Sequence, residues 1–379
     1  MDKTGNRRIK RKNIIKKITK IMAAIILLFT GIVLIGLMIV RINSPGKLTP
    51  LKDAAGNPIQ GSVFEKLRIE VNGIEQGMFI RGENPNNPVI LYLHGGPGTP
   101  LLPFISYLEK NERLEKYFTV CYWDQRGSGM SYNKSIDPET MTIEQMIEDT
   151  HEVTQYLKTR FKQEKIYLMG HSWGSYLGVK TIEKYPDNYL AYMGIGQLSD
   201  QKESERRAHA YMLQHAKEIG DNEAVEKLEK FDASSESFPD NEYLIKVRTT
   251  IVNKYGIGML HEGATLSKMA KALITFKGYS IAEKINFIRG ADFSMDHLFQ
   301  MVMNDNLFES CHRFETPFYI LQGEYDCQVS YTLAQKYLNA VEAPKKGFFT
   351  FTNSAHSPNM EEPEKFIQTV CRIAVENPQ

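Results

Sequence analysis

Cysteine is scarce in this chain. Only Cys121, Cys311, Cys327 and Cys371 occur, widely spaced and with no C-x-x-C pair. That excludes a zinc ribbon and a dithiol redox motif, and a domain this large does not need a disulfide framework. Cys121 falls in an apolar run and reads as a core residue. Metal-binding histidine patterns are missing too. His209, His215, His261, His297 and His312 share one segment, but none forms an H-x-x-x-H pair of the zincin kind. No metal and no cofactor is expected. Net charge is also lacking, with 46 Lys and Arg against 45 Asp and Glu. A balance of this kind does not mark a nucleic-acid binder.

Uninterrupted apolar stretches are equally rare, with one exception. Ile21 to Val40 carries no charge, and nine Lys and Arg precede it against the single acid Asp2. An α-helix needs about 20 apolar residues to cross a bilayer. A cleaved signal peptide has a shorter apolar region of roughly 7–15 residues and a small-x-small cleavage site, which is absent here. The expectation is an uncleaved anchor over residues 21–40, inserted in the lipid bilayer. The basic tail, residues 1–20, stays cytoplasmic, and everything after Arg41 lies extracytoplasmic at the cell membrane.

Residues 41–61 are rich in Pro and Gly and read as a linker lifting the rest off the membrane. Val63 to Val71 and Ile74 to Arg81 then read as two strands of a hairpin about Asn72-Gly73. Val89 to Leu93 is a continuous apolar strand of the kind buried in a sheet centre. It runs into His94-Gly-Gly-Pro-Gly98. Phe118 to Trp123 is the next strand, and Asp124-Gln-Arg-Gly-Ser-Gly-Met-Ser131 follows. In that loop Asp124 and Arg126 are expected to pair and brace it. Met141 to Phe161 has amphipathic spacing and reads as a helix.

Gly170-His-Ser-Trp-Gly174 sits between an apolar strand, Ile166 to Met169, and an apolar helix. The G-x-S-x-G pattern in a strand–turn–helix context presents a nucleophilic serine, Ser172, at the tip of a sheet. The glycines let the turn approach its neighbours, and the helix N-terminus offers free N–H groups and a partial positive charge.

Together, HGGPG at 94–98, DQRGSGMS at 124–131 and GHSWGS at 170–175 resemble the prolyl aminopeptidase (proline iminopeptidase) branch of the α/β-hydrolase superfamily. The resemblance covers residues 60–375, the middle insertion apart. It implies an α/β-hydrolase fold, with a mostly parallel central sheet and helices on both faces, in two parts, residues 62–198 and 315–379. Residues 199–314, helical and charge-rich, would form a cap above the serine. It also implies an oxyanion hole from the N–H of Gly95 or Gly96, with Gly96 favoured, and the N–H of Trp173. In the aminopeptidases of this branch, cap glutamates receive the free α-amino group. Glu203 and Glu205 are the candidates here, with Glu242 and Glu262 behind them, and no motif chooses among them.

Thr316 to Gln322 is a further apolar strand, ending in Gly323-Glu-Tyr-Asp326. The superfamily pattern G-x-x-D favours Asp326 over Glu324 as the acid that orients a histidine. His356 lies on the loop between the last strand, Lys346 to Phe351, and a final helix from Pro363. The order Ser172, Asp326, His356 is that of α/β hydrolases. The function implied is a membrane-anchored serine hydrolase, an aminopeptidase releasing N-terminal residues, with proline a candidate, from short peptides through an acyl-enzyme. An esterase or small-amide hydrolase is the alternative, and a non-catalytic binding module a third reading. Dehalogenases and epoxide hydrolases of this fold need an aspartate where Ser172 stands.

Overall fold

A computed structural model describes residues 3–108, 112–261 and 266–379. The chain opens with α1 (Lys3–Ile42), followed by β1 (Val63–Val71), β2 (Ile74–Gly82), β3 (Val89–Leu93), α2 (Leu102–Leu108) and β4 (Thr119–Trp123). Next come α3 (Ile143–Phe161), β5 (Ile166–His171), α4 (Trp173–Lys184) and β6 (Tyr189–Ile195). A segment without strands follows, comprising α5 (Gln201–Ile219), α6 (Asn222–Leu228), α7 (Thr249–Lys254), α8 (Leu266–Thr275), α9 (Ile281–Met303) and α10 (Leu307–Ser310). The chain then returns through β7 (Phe318–Gly323), α11 (Tyr331–Ala340), β8 (Lys346–Phe351), α12 (Pro358–Glu361) and α13 (Pro363–Glu376).

The eight strands form one sheet in the order β1-β2-β4-β3-β5-β6-β7-β8. β1, β2 and β4 pair antiparallel, and every pair from β4 onward is parallel. β3, β4, β5 and β7 are buried at every position and mostly apolar, because both faces are covered. Alternation then splits their side chains. Leu91, Leu93, Leu168 and Ile320 pack toward α3, α4 and α11. Ile90, Tyr92, Tyr167 and Met169 face the other way, toward α2 and α13. This is the α/β-hydrolase fold, and it places the carboxyl ends of β3, β5, β6 and β7, with the loops that follow them, along one edge.

The helical segment has a small core of its own, in which Met212, Leu228, Phe238, Tyr243 and Ile251 are buried together. Its longest helix, α9, begins in a capping box at Ser280 and Glu283. That helix lies on the loop after β4. Ser294 Oγ donates to the Gly127 carbonyl (3.1 Å), and a Cβ on Gly290 would stand 2.6 Å from the same oxygen.

Ile15–Ile42 is the one helical stretch among the described residues long and apolar enough to cross a membrane, and none of it is buried. The Pro- and Gly-rich segment behind it is held rather than free. Lys47 N–H donates to the Lys277 carbonyl (3.0 Å), Pro45 bridges Ser280, and Leu51 is buried.

The expected pairing of Asp124 with Arg126 does not form. The Arg126 guanidinium turns to Asp149 of α3, with Nε 2.7 Å and Nη2 3.0 Å from its two carboxylate oxygens. Asp149 also accepts from Asn72, Gln76 and Gln145, so a fully buried charge pair is bonded all round. Asp124 instead accepts from the Met130 N–H (2.8 Å) and the Tyr279 hydroxyl (2.7 Å). Burial is the main influence on its carboxyl and raises it to about 7.

Candidate active site

Ser172 stands between β5 and α4 with φ 57° and ψ −121°. A positive φ in a residue with a Cβ costs of order 1–3 kcal/mol, so surrounding contacts must impose it. They do. Ser172 N–H is held by the Ile195 carbonyl (2.9 Å) and its own carbonyl receives Ser175 N–H (2.7 Å). A Cβ on Gly170 would sit 2.2 Å from the Gly174 carbonyl, and one on Gly174 would sit 2.2 Å from that of Leu93. Only glycine lets the helix start this close to β3 and β5.

The loop after β3 runs beside the serine, since a Cβ on Gly95 would lie 3.2 Å from Ser172 Cβ. Neither the Trp173 nor the Gly96 N–H donates a hydrogen bond among the described residues. Three motifs are stitched together here. The Trp173 indole donates to Gln125 Oε1 (2.8 Å), and Gln125 Nε2 donates to the His94 carbonyl (3.2 Å). The His94 ring accepts from Gln125 N–H at Nε2, which leaves Nδ1–H to donate to the Gly95 carbonyl (2.9 Å). Burial pushes His94 down to about 4 and His171 to about 3, so both rings are neutral at pH 7.

His356 and Asp326 meet across the sheet edge. His356 Nδ1 is 2.8 Å from Asp326 Oδ2, and both residues are buried. Asp326 is fixed by Gln322 Nε2 (2.7 Å) and by the N–H groups of Gln328 (2.9 Å) and Val329 (3.1 Å). The His171 ring packs on His356 at 4.9 Å, and its Nε2 bonds the His356 carbonyl (2.9 Å).

Gly96, Ser172, Trp173 and His356 all line a single cavity of about 760 Å³ roofed by the helical segment. Glu203 is not brought there. It pairs with Arg207 one turn along α5 (2.9 Å) at the surface. Glu242 is exposed and pairs with Lys246 (3.3 Å), and Glu262 lies outside the described residues. Glu205 does line the cavity, buried, but its carboxylate is matched by Arg248 (2.9 Å) and receives Gln201 Nε2 (2.8 Å).

Sequence reasoning missed Arg248, Gln201, Gln328 and Asp296. Arg248 Nη2 also donates to the Gln328 carbonyl (3.2 Å), tying the cap to the loop that carries Asp326. Gln201 Nε2 faces two acceptors, Glu205 and the Gln328 carbonyl, which sets its amide orientation. Its Oε1, buried in this cavity-lining residue, has no partner among the described residues. Asp296 of α9 lines the cavity, and its carboxylate has no hydrogen bond or ion pair among the described residues. No local pattern distinguishes these residues from an ordinary polar helix face.

Comparison with known proteins identifies the family. A family model described as serine aminopeptidase, S33, matches residues 107–237. The probable aminopeptidase YbaC of Bacillus subtilis is 34% identical over 320 residues, spanning 84% of this chain and 98% of that protein. The chain belongs to the S33 serine aminopeptidase family. A proline iminopeptidase from Chitinophaga pinensis is 35% identical over 128 residues, 33% of this chain and 40% of that one. Among solved structures, a proline iminopeptidase from Mycobacterium smegmatis superposes with a TM-score of 0.59 at 15% identity, over 83% of this chain and 98% of the other. That likeness speaks for the fold alone. Family membership makes the chain a serine hydrolase.

Proposed function

We propose that this S33 hydrolase is a membrane-anchored aminopeptidase with Ser172 as nucleophile, His356 as general base and Asp326 as the residue that orients it. The observation that carries the reading is the shared cavity. Ser172 and His356 open onto one space, and the His356 Nδ1 is bound to Asp326, leaving Nε2 for the serine proton.

His356 Nε2 takes the Ser172 proton as Oγ bonds to the carbonyl carbon. The oxyanion is received by the Trp173 and Gly96 N–H groups, a contribution of about 3–4 kcal/mol per donor. His356 then protonates the departing amine, which leaves as the shortened peptide. Water, deprotonated by His356, cleaves the ester and frees the N-terminal residue. The substrate's α-ammonium needs acceptors. Gln201 Oε1 is an unfilled one, beside Glu205, and Asp296 adds an unpaired carboxylate on the same wall. Proline is one candidate first residue, and short peptides are the substrate class. α1 holds the enzyme in the bilayer, with its basic end cytoplasmic and the catalytic body outside.

An esterase reading has one observation behind it. Leu244, Ile245, Met259, Met269 and Phe299 make much of the cavity wall apolar. Prolyl- and alanyl-anilides, the same anilides acetylated on the amine, and a short-chain phenyl ester separate the two. The aminopeptidase reading expects anilide turnover that is lost on acetylation and lost in Ser172→Ala. Ester turnover with no anilide cleavage refutes it. Gln201→Leu should raise KM for the free amines and leave ester hydrolysis unchanged.

A further inference from the structure

The segment after α1 is pinned to the cap within a few residues of the apolar run. Lys284 of α9 extends its ammonium to the Asn43 carbonyl (2.8 Å) and to the Ile274 carbonyl at the end of α8 (2.6 Å). Asn43 is three residues past Val40. At 1.5 Å per residue that is about 4.5 Å of helix. The headgroup layer on each side of the hydrocarbon is roughly 5–8 Å deep. If α1 spans the bilayer, Asn43 lies inside that layer, and the first turns of α9 lie there with it.

The exposed surface at this point has the chemistry for such a place. Ile281, Ile285 and Ile288 recur at helical spacing on α9, and Ile274 flanks them; all four are 40–58% exposed. Ile39 and Ile42 of α1 extend the same apolar character onto the anchor. Between Leu266 and Arg289 the sequence has five Lys and Arg and a single acid, Glu283. That acid is buried and paired with Lys66 (2.6 Å) and Arg68 (3.3 Å). Lys277 and Arg289 are exposed, as is Lys47 on the linker. An isoleucine stripe with a cationic rim is complementary to an anionic lipid interface, and Asp292, one turn beyond Ile288, is the first exposed acid along α9.

We propose that the α8–α9 edge of the cap, led by Ile281, Ile285 and Ile288, is a second membrane contact that rests in the headgroup layer of an anionic bilayer. This rests on the reading of α1 as an anchor. The cap, and with it the roof of the cavity, is then held against the lipid surface in one orientation rather than swinging on a tether.

Tryptophan quenching tests it on the full chain in phosphatidylglycerol-rich vesicles with acyl chains brominated close to the ester. The native Trp123 and Trp173 are buried and supply a constant background. Three single reporters are compared: Leu34→Trp in the anchor, Ile285→Trp on the stripe, and Val375→Trp on α13. That last helix packs toward Tyr167 and Tyr319, away from the cap. Ile285→Trp should lose at least half the fraction of fluorescence that Leu34→Trp loses, with Val375→Trp unchanged. If Leu34→Trp is quenched while Ile285→Trp behaves as Val375→Trp, the docking surface is refuted and the anchor stands. If Leu34→Trp is itself unquenched, the anchor reading falls and this proposal falls with it. Dimers in detergent that Ile285→Asp dissociates would assign the stripe to a second copy of the chain and overturn the lipid contact.

Discussion

Gly196→Ala should damage catalysis far more than it damages the fold. Gly196 follows β6 with φ 55°, and its amide is held by the Leu321 carbonyl (3.3 Å). A Cβ there would stand 2.7 Å from His356 Cε1 and 2.8 Å from Nδ1. Carbon atoms in contact sit about 3.5–4.0 Å apart, so the ring must retreat by roughly 1 Å. The Nδ1–Asp326 bond is 2.8 Å long and cannot absorb that without misaligning Nε2. A displacement of this size costs about 10²-fold in rate. Placing alanine at positive φ costs a further 1–2 kcal/mol or so of stability. Gly220→Ala separates the two effects. Gly220 has φ 72° with nothing within 4 Å of its Cβ position. It should lose about the same stability and keep full kcat/KM. Anilide kinetics, fluorophosphonate labelling and urea unfolding on the three proteins read out both terms. If Gly196→Ala keeps kcat/KM and labelling rate at the level of Gly220→Ala, the reasoning about His356 is wrong.

Asp326→Asn should lower kcat by about 10³–10⁴-fold while the chain stays folded, because the amide can present its N–H to His356 and fix the wrong tautomer. Slowed fluorophosphonate labelling with an unchanged unfolding midpoint checks it. Arg126→Met leaves the buried Asp149 charge without its cation and should cost about 3–5 kcal/mol in denaturant unfolding. A loss of the size seen for exposed pairs, about 1 kcal/mol or less, contradicts that. His171, held down to about 3 by burial, binds no proton in the folded chain at pH 5, whereas the unfolded residue titrates near 6.5. Its contribution to stability is therefore present above pH 6.5 and lost as pH falls. Between pH 7 and 5, His171→Gln should lose about 1–2 kcal/mol less than the parent. Asp124, raised to about 7, pulls in the opposite direction in both proteins and cancels in the comparison.

Local pattern carried much of this protein. β1, β3 and β8 begin and end where the sequence predicts, because the turns that flank them need Gly, Asn or Pro and because β3, buried on both faces, has to be apolar throughout. The elbow was legible for a related reason. Gly170 and Gly174 are required by backbone contacts of 2.2 Å, and no other residue type could occupy them. Side-chain partnerships were another matter. Arg126 was expected to brace Asp124, two residues away, and instead reaches Asp149 on α3. Glu203 and Glu205 look alike in sequence, yet one faces solvent with Arg207 and the other is buried against Arg248. Nothing in the local pattern around Gly196 points to His356, 160 residues further along the chain.

By itself, then, the sequence determined what depends on neighbours along the chain. It specified the strand–turn–helix holding Ser172, the glycine loops beside it, the order of Ser172, Asp326 and His356, and an apolar helix long enough to span a bilayer. Periodicity and turn chemistry act over a few residues, so they can be read without coordinates. Tertiary structure decided which charges pair, which acids reach the cavity, that Gly196 keeps room for His356, and that the linker is tied to α9. Those outcomes turn on where segments far apart in sequence come to rest, to within an ångström, and packing of the whole fold sets that distance.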